Sequence, residues 1–321
     1  MFEKIRKVMN HRIVVFLLPV IILLLLCLVF ALGTGGRFIS SRNLKIITDQ
    51  ALVMAIVATG GVFVYSSGNM NLALGGSTAI ACIFGAMTYL NTESYAAMFF
   101  ACVVTGLIIM ALCVVLSQVL HISIIVVTMI LMTMLTALQE WLIGSNPIKL
   151  PFSAMNALQK ANVPLTLGII LFVVCILVFE FTPLGKTLKF FGDNETCAKQ
   201  TGLNELLAIS LAFAISGIGV GVGAFAFLAR SATVASTSCN SLNMDVMLAI
   251  VLAGTPMDGG NKSKIFSGVV GALMTTVLSN GLLMMGVDSI YIQAVKGILF
   301  VIILITSSKR SDVLPVNDMV G

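Results

Sequence analysis

The stretch QALVMAIVATGGVFVYSSGNMNLALGGSTAIACIFGAMTYLNT, residues Gln50 to Thr92, runs for 43 residues without one charged side chain. A helix needs about 20 apolar residues to cross the hydrocarbon core of a bilayer. This run is therefore long enough for two spans and a turn between them. Ser66-Ser67-Gly68-Asn69 supplies the turn, since these residue types break regular structure. Lipid offers no partners for free N–H and C=O groups, so an isolated span has to be helical.

The same pattern extends outward in both directions. Ser94 to Gln139 is uncharged for 46 residues, with a break from Ser117-Gln118 to His121. Ile13 to Gly36, Ala161 to Phe179, Leu206 to Ala229 and Ile265 to Val287 are further uncharged runs. They predict ten helices, at 13–33, 47–66, 72–90, 95–117, 121–143, 164–182, 207–229, 244–258, 264–285 and 289–307. The eighth is short and bounded by glycine. The fold class expected is thus all-α, a single polytopic membrane domain over residues 1–321. Composition agrees: 59% of residues are hydrophobic and 10% charged, against about 25% charged in soluble domains.

Several function classes lose support at once. The seven cysteines contain no C-x-x-C pair, so neither a zinc site nor a disulfide framework is expected. LGKT, Leu184 to Thr187, ends like a phosphate-binding loop. It lacks the earlier glycine and follows a membrane helix rather than a strand. No catalytic cluster is evident, and no cofactor or metal is expected. The net charge of +5 is spread over loops and does not suggest nucleic acid.

Lysine and arginine in short loops set orientation. With the amino terminus in the cytoplasm, eleven of these residues fall inside and six outside. Both termini, 1–12 and 308–321, are then cytoplasmic, as is the loop 183–206. That loop is polar and should hold a short helix, with Asp193 or Asn194 as N-cap. A small amphipathic helix there suggests a docking site for a soluble partner.

Two segments combine glycine with polar residues beside apolar spans: GNMNLALGGS, Gly68 to Ser77, and AGTPMDGGNKS, Ala253 to Ser263. Paired interruptions in opposite halves of a chain point to an internal repeat with broken helices, near a polar cavity. SGIGVGVGAFAF, Ser216 to Phe227, carries two overlapping G-x-x-x-G spacings, which predict close helix packing. Lys296 is the deepest ionisable candidate within a span. Glu140, Glu180 and His121 lie near span ends. The path is expected to be polar and nearly neutral, suited to an uncharged polar solute.

Three of these stretches resemble a known family, the permease subunits of ATP-binding-cassette (ABC) importers for ribose, galactose and autoinducer-2, within the branched-chain amino acid/sugar permease superfamily. GNMNLALGGS looks like that family's Gly-Gly-Ile-Asp-Leu-Ser-Val-Gly-Ser signature. TPLGKTLKFFGDNETCAKQTGLN, Thr182 to Asn204, is similar to its cytoplasmic loop. Leu252 to Gly297 looks like its later Gly-Gly-Thr segment and the two spans after it. Departures include Asn69 for glycine, Asn71 for the signature aspartate, Lys186 for arginine and Cys197 for alanine. They bear on the substrate more than on the fold.

The resemblance implies a second permease subunit, identical or related, and an extracytoplasmic solute-binding protein. It also implies two cytoplasmic ATPase subunits, or one fused double ATPase, which would use the ATP. Gly192, Asn194, Glu195, Ala198 and Gly202 would form the ATPase-coupling loop. Asn69, Asn71, Gly75, Gly76, Gly254, Thr255, Gly259 and Gly260 would lie beside the translocation path. The implied cargo is a neutral polar solute such as ribose or a related monosaccharide. A nucleoside permease, an ATP-independent secondary transporter and a membrane enzyme or scaffold are the alternatives.

Overall fold

The structure is a computed structural model and describes residues 12–307. The expectations for the terminal segments fall largely outside that range. In chain order the helices are α1 (Arg12–Gly33), α2 (Ser41–Ser66), α3 (Leu74–Thr92), α4 (Tyr95–Leu120), α5 (Ile124–Ile143), α6 (Phe152–Lys160), α7 (Val163–Phe181), α8 (Pro183–Asp193), α9 (Glu195–Gln200), α10 (Glu205–Ser231), α11 (Leu242–Leu252), α12 (Phe266–Met284) and α13 (Ser289–Ser307). One two-residue antiparallel pair joins β1 (Ile148–Lys149) to β2 (Thr233–Val234), with Ile148 opposite Val234. Among the described residues, α2, α4, α5, α7, α10 and α12 are long and apolar enough to cross a membrane. The chain is an all-α, multi-pass membrane protein.

Each of the ten expected segments holds a helix, but some ends move for physical reasons. The second begins at Ser41 rather than 47, because Ser40 accepts the Asn43 backbone N–H and caps it. The eighth, α11, stops at Leu252 rather than 258. Gly254 turns left-handed at φ +96°, and Pro256 pushes Thr255 away from helical geometry. In the polar loop there are two short helices. Asn194 caps the second through Cys197 N–H at 3.0 Å, whereas Asp193 ends the first.

The glycines of α10 explain the centre of the bundle. Residues two apart on a helix lie about 200° apart, so an alternating glycine pattern makes two opposite stripes. Gly217 and Gly221 face α4, where a Cβ on Gly217 would sit 3.0 Å from the Gly106 carbonyl oxygen. Gly219 and Gly223 face α2, where a Cβ on Gly219 would lie 3.1 Å from the Gly60 Cα. Gly268 of α12 meets the Ala58–Thr59 backbone of α2 in the same way. Between membrane helices no hydrophobic drive exists, so close backbone approach supplies the dispersion energy. The outer helices show the complementary face. Phe100, Val104, Ile108, Leu112, Val115 and Val119 make an exposed apolar stripe along α4, as a lipid-facing surface requires.

Loops sort into two ends. Segments 67–69, 117–124, 191–195 and Asp258 gather around one cavity. At the other end the β1–β2 pair joins loops 144–151 and 232–241, and the Tyr95 hydroxyl donates to the Ala154 carbonyl at 3.2 Å.

Candidate functional site: a backbone joint under the α8–α9 turn

The two glycine-interrupted segments meet each other, and they meet on the loop between α8 and α9. Gly260 N–H donates to the Ser66 carbonyl at 3.0 Å, across the C-terminal end of α2. Asn261 N–H donates to Asp193 Oδ1 at 3.1 Å, at the end of α8. Gly68, Gly259 and Gly260 all have positive φ, a conformation that glycine adopts without a steric cost. The fit leaves no room for side chains. A Cβ on Gly68 would stand 3.0 Å from the Asp258 carbonyl, and one on Gly259 would stand 2.5 Å from the Ser66 carbonyl. A Cβ on Gly192 would collide with Gly260 N and the Ser66 carbonyl. Main chain touches main chain here, in a joint between α2, the α8–α9 turn and the α11–α12 connection.

Beside the joint opens a cavity of about 550 Å3, walled by Ser67, Asn69, Gln118, His121, Asp193 and Asp258, among others. Asn69 is half-buried and donates from Nδ2 to Ser67 Oγ at 3.1 Å. Glu195 and Glu205 also line the cavity. Both hold Lys199, at 2.6 and 2.9 Å, and so tie α9 to the start of α10. The Glu195 bond, then the Glu205 bond, keeps the Lys199 ammonium above the ordinary lysine range. Ala198, on the inner face of α9, is fully buried. Gly202 follows α9 at φ +80° with open space around it, the usual left-handed ending of a helix. Glu180 pairs with Lys189 at 3.2 Å near the start of the same loop.

The rest of the first segment turns inward. Asn71 is 1% exposed. Its Oδ1 accepts the Ala73 N–H at 3.0 Å, and its Nδ2 lies 3.0 Å from the Met110 sulfur. The Asn71 carbonyl accepts from the Tyr65 hydroxyl at 3.4 Å. A non-helical stretch in a membrane protein needs such partners. Gly75 and Gly76 begin α3 against other helices. Gly75 N–H donates to Asn243 Oδ1, a cap supplied from α11, and Gly76 packs on Leu135. In the second segment Gly254 is exposed, while the Thr255 and Ser267 hydroxyls bond at 2.5 Å.

The residues singled out in the sequence thus divide. Gly192, Gly259 and Gly260 form the joint. Asn194, Glu195, Ala198 and Gly202 shape the loop above it. Asn69 lines the cavity, and Asn71, Gly75, Gly76 and Thr255 pack inside. Sequence reasoning missed Ser66, Asp193 as an acceptor, and Asn243. The first and last contribute through pairings across the fold, which no local pattern announces. It also missed the partner of Lys296. Lys296 Nζ bonds Asp245 Oδ1 at 2.6 Å, with both side chains about nine-tenths buried, between α13 and α11.

Uncharged helices packed through glycine, two broken connections and a polar loop seated on both define a multi-pass membrane protein built around a jointed core. The sequence profile described as "Branched-chain amino acid transport system / permease component" matches residues 43–304, and the chain belongs to that family. It is similar over 300 residues to the ribose import permease protein RbsC of Escherichia coli (strain K12), at 24% identity, covering 90% of this chain and 93% of that one. It is similar to the fructose import permease protein FrcC of Rhizobium meliloti, at 26% identity, covering 88% and 82%. A probable ABC transporter permease protein, YphD of Escherichia coli (strain K12), is 28% identical over 52% of this chain and 47% of its own length. No solved structure matches the chain.

Proposed function

We propose that the chain is the membrane-spanning subunit of an ATP-driven importer for a neutral polar solute, a monosaccharide such as ribose or a relative of it. The relatives that carry sugar names support the substrate class. The joint carries the mechanism: the α8–α9 turn is bonded to the second broken segment through Asp193 and packs Gly192 against Ser66 and Gly68 at the first, so a push on that turn moves both. ATP hydrolysis in separate ATPase subunits would supply the push, received on α9 from the cytoplasm. A second permease subunit would complete the path, and a solute-binding protein would deliver cargo at the opposite, extracytoplasmic end. The chain itself needs no cofactor in this scheme.

Co-purification with the ATPase encoded beside it tests the reading. Glu195 and Thr196 are exposed, so a Glu195→Arg, Thr196→Arg double change alters the docking surface while sparing the joint. Wild type should bring down the ATPase, and the double variant should reach the membrane without it. A correctly inserted wild type that recruits no ATPase and transports alone would point to an ion-coupled carrier instead.

A further inference from the structure

The second cavity lies away from the joint, among α2, α10, α11, α12 and α13, and measures about 340 Å3. It falls within the size range of small-molecule sites, roughly 300–1,000 Å3. The Asp245–Lys296 pair lines it, with Gln50, Arg230, Asn280 and Gln293. Three buried polar atoms of its walls have no partner: Arg230 Nε, Thr276 Oγ1 and Asn280 Oδ1. Thr276 is 3% and Asn280 7% exposed. Polar groups left unpaired inside a protein are costly, and buried groups are almost always satisfied. Half of the six such atoms among the described residues belong to this one wall, which marks a place shaped for a ligand.

The wall chemistry narrows the ligand. Asp245 faces Lys296 at 2.6 Å, and Asp49 lies within electrostatic reach of Arg230. The lining itself holds Arg230 and Lys296 against Asp245, and with Asp49 acting through space the charges of this region largely offset one another. Each partner of the ion pair also has capacity left. An ammonium carries three donors and a carboxylate about four acceptor sites, while only one bond joins them here. A hydroxyl can add to the pair, donating to Asp245 and accepting from Lys296 together. Phe227 contributes an apolar surface to the same cavity.

We infer that this cavity binds a neutral polyhydroxylated solute, with Asp245, Lys296 and Asn280 as the hydroxyl-binding groups. The inference rests on the permease reading and places its cargo at the end opposite the joint. Adjacent vicinal hydroxyls bridge the ion pair, and a further hydroxyl donates to Asn280 Oδ1.

Cys239 lines this cavity and is partly exposed, so it serves as a native reporter. In the full-length protein in nanodiscs, Cys197→Ser and Cys27→Ser changes remove the other partly or fully exposed thiols. The rate of Cys239 modification by a small methanethiosulfonate is then followed with ribose, fructose, galactose, leucine or no addition. At least one of the sugars should slow labelling about tenfold at saturation, and leucine should not. Asn280→Ala and Thr276→Val should abolish protection while leaving ATPase recruitment unchanged. Protection by leucine alone overturns the polyol assignment. No protection by any sugar, in a protein that still recruits its ATPase and imports one of them, overturns the site. Absence of both recruitment and import strikes the permease reading instead.

Discussion

Single residues decide how tightly the core closes. Gly221 faces the Val103 backbone with no space for a methyl group, and overpacking a tight contact costs about 1–3 kcal/mol. Gly221→Ala should therefore lower the thermal unfolding midpoint in detergent. Gly297→Ala, in open space on α13, should leave the midpoint unchanged or raise it slightly. Asp245→Asn strands a buried ammonium, and breaking a buried pair costs about 3–5 kcal/mol. Replacing both partners, as Asp245→Asn with Lys296→Met, should recover most of that loss in a double-mutant cycle. Strong additivity of the two single changes would show that the pair does not couple. Lys296 stood out in the sequence because a cation inside an apolar span is rare. Asp245 did not, because its position at the head of a short helix looks like an ordinary first-turn acid. Only the fold brings the two together.

At the scale of elements, the α8–α9 loop is held by charge as well as by the joint. Glu195 and Glu205 raise the Lys199 pKa. A raised value means the clamp is fully formed below the ordinary lysine pKa and weakens only as pH climbs through the higher folded-state value. Between about pH 6 and 9 the loop should keep one geometry. The Cys197 labelling rate, corrected for thiolate fraction, should accordingly be flat across that window. Asp193→Ala removes the acceptor of Asn261 N–H and should loosen the joint by about 1–2 kcal/mol. Under the importer reading, ATP hydrolysis then persists while transport falls about tenfold. Equal losses of both would argue that Asp193 serves folding alone. The helices were legible because uncharged length is a direct measure of membrane crossing. Their ends were less so. Ser40 capping and the Gly254–Pro256 turn act over two or three residues, below the resolution of hydropathy. The α6 helix and the β1–β2 pair went unread because they depend on loops that meet only in the folded chain.

For the whole molecule, the sorting of loops to two ends follows from long helices that run back and forth through the bundle. Which end faces the cytoplasm rests on the lysine and arginine balance. Cys197 tests it directly, as the one cysteine that is fully exposed among the described residues. A membrane-impermeant maleimide should label it in inverted vesicles and spare it in intact cells. With Cys27 and Cys239 changed to serine, labelling of intact cells would turn the molecule over and place the joint outside. The glycine-broken segments were visible in the sequence as a pair. Their direct contact was not, since main-chain pairing leaves no signature in side-chain chemistry.

That last property has its own consequence. A joint made mostly of amides and carbonyls is indifferent to which side chains decorate the surface above it, provided its glycines and Asp193 stay. The outward face of α9 is therefore interchangeable in principle. Under the importer reading, grafting the exposed positions of Glu195 to Gln200 from a relative, with Gly192, Asp193, Ala198, Gly259 and Gly260 retained, should redirect the subunit to a different ATPase without rebuilding the joint beneath.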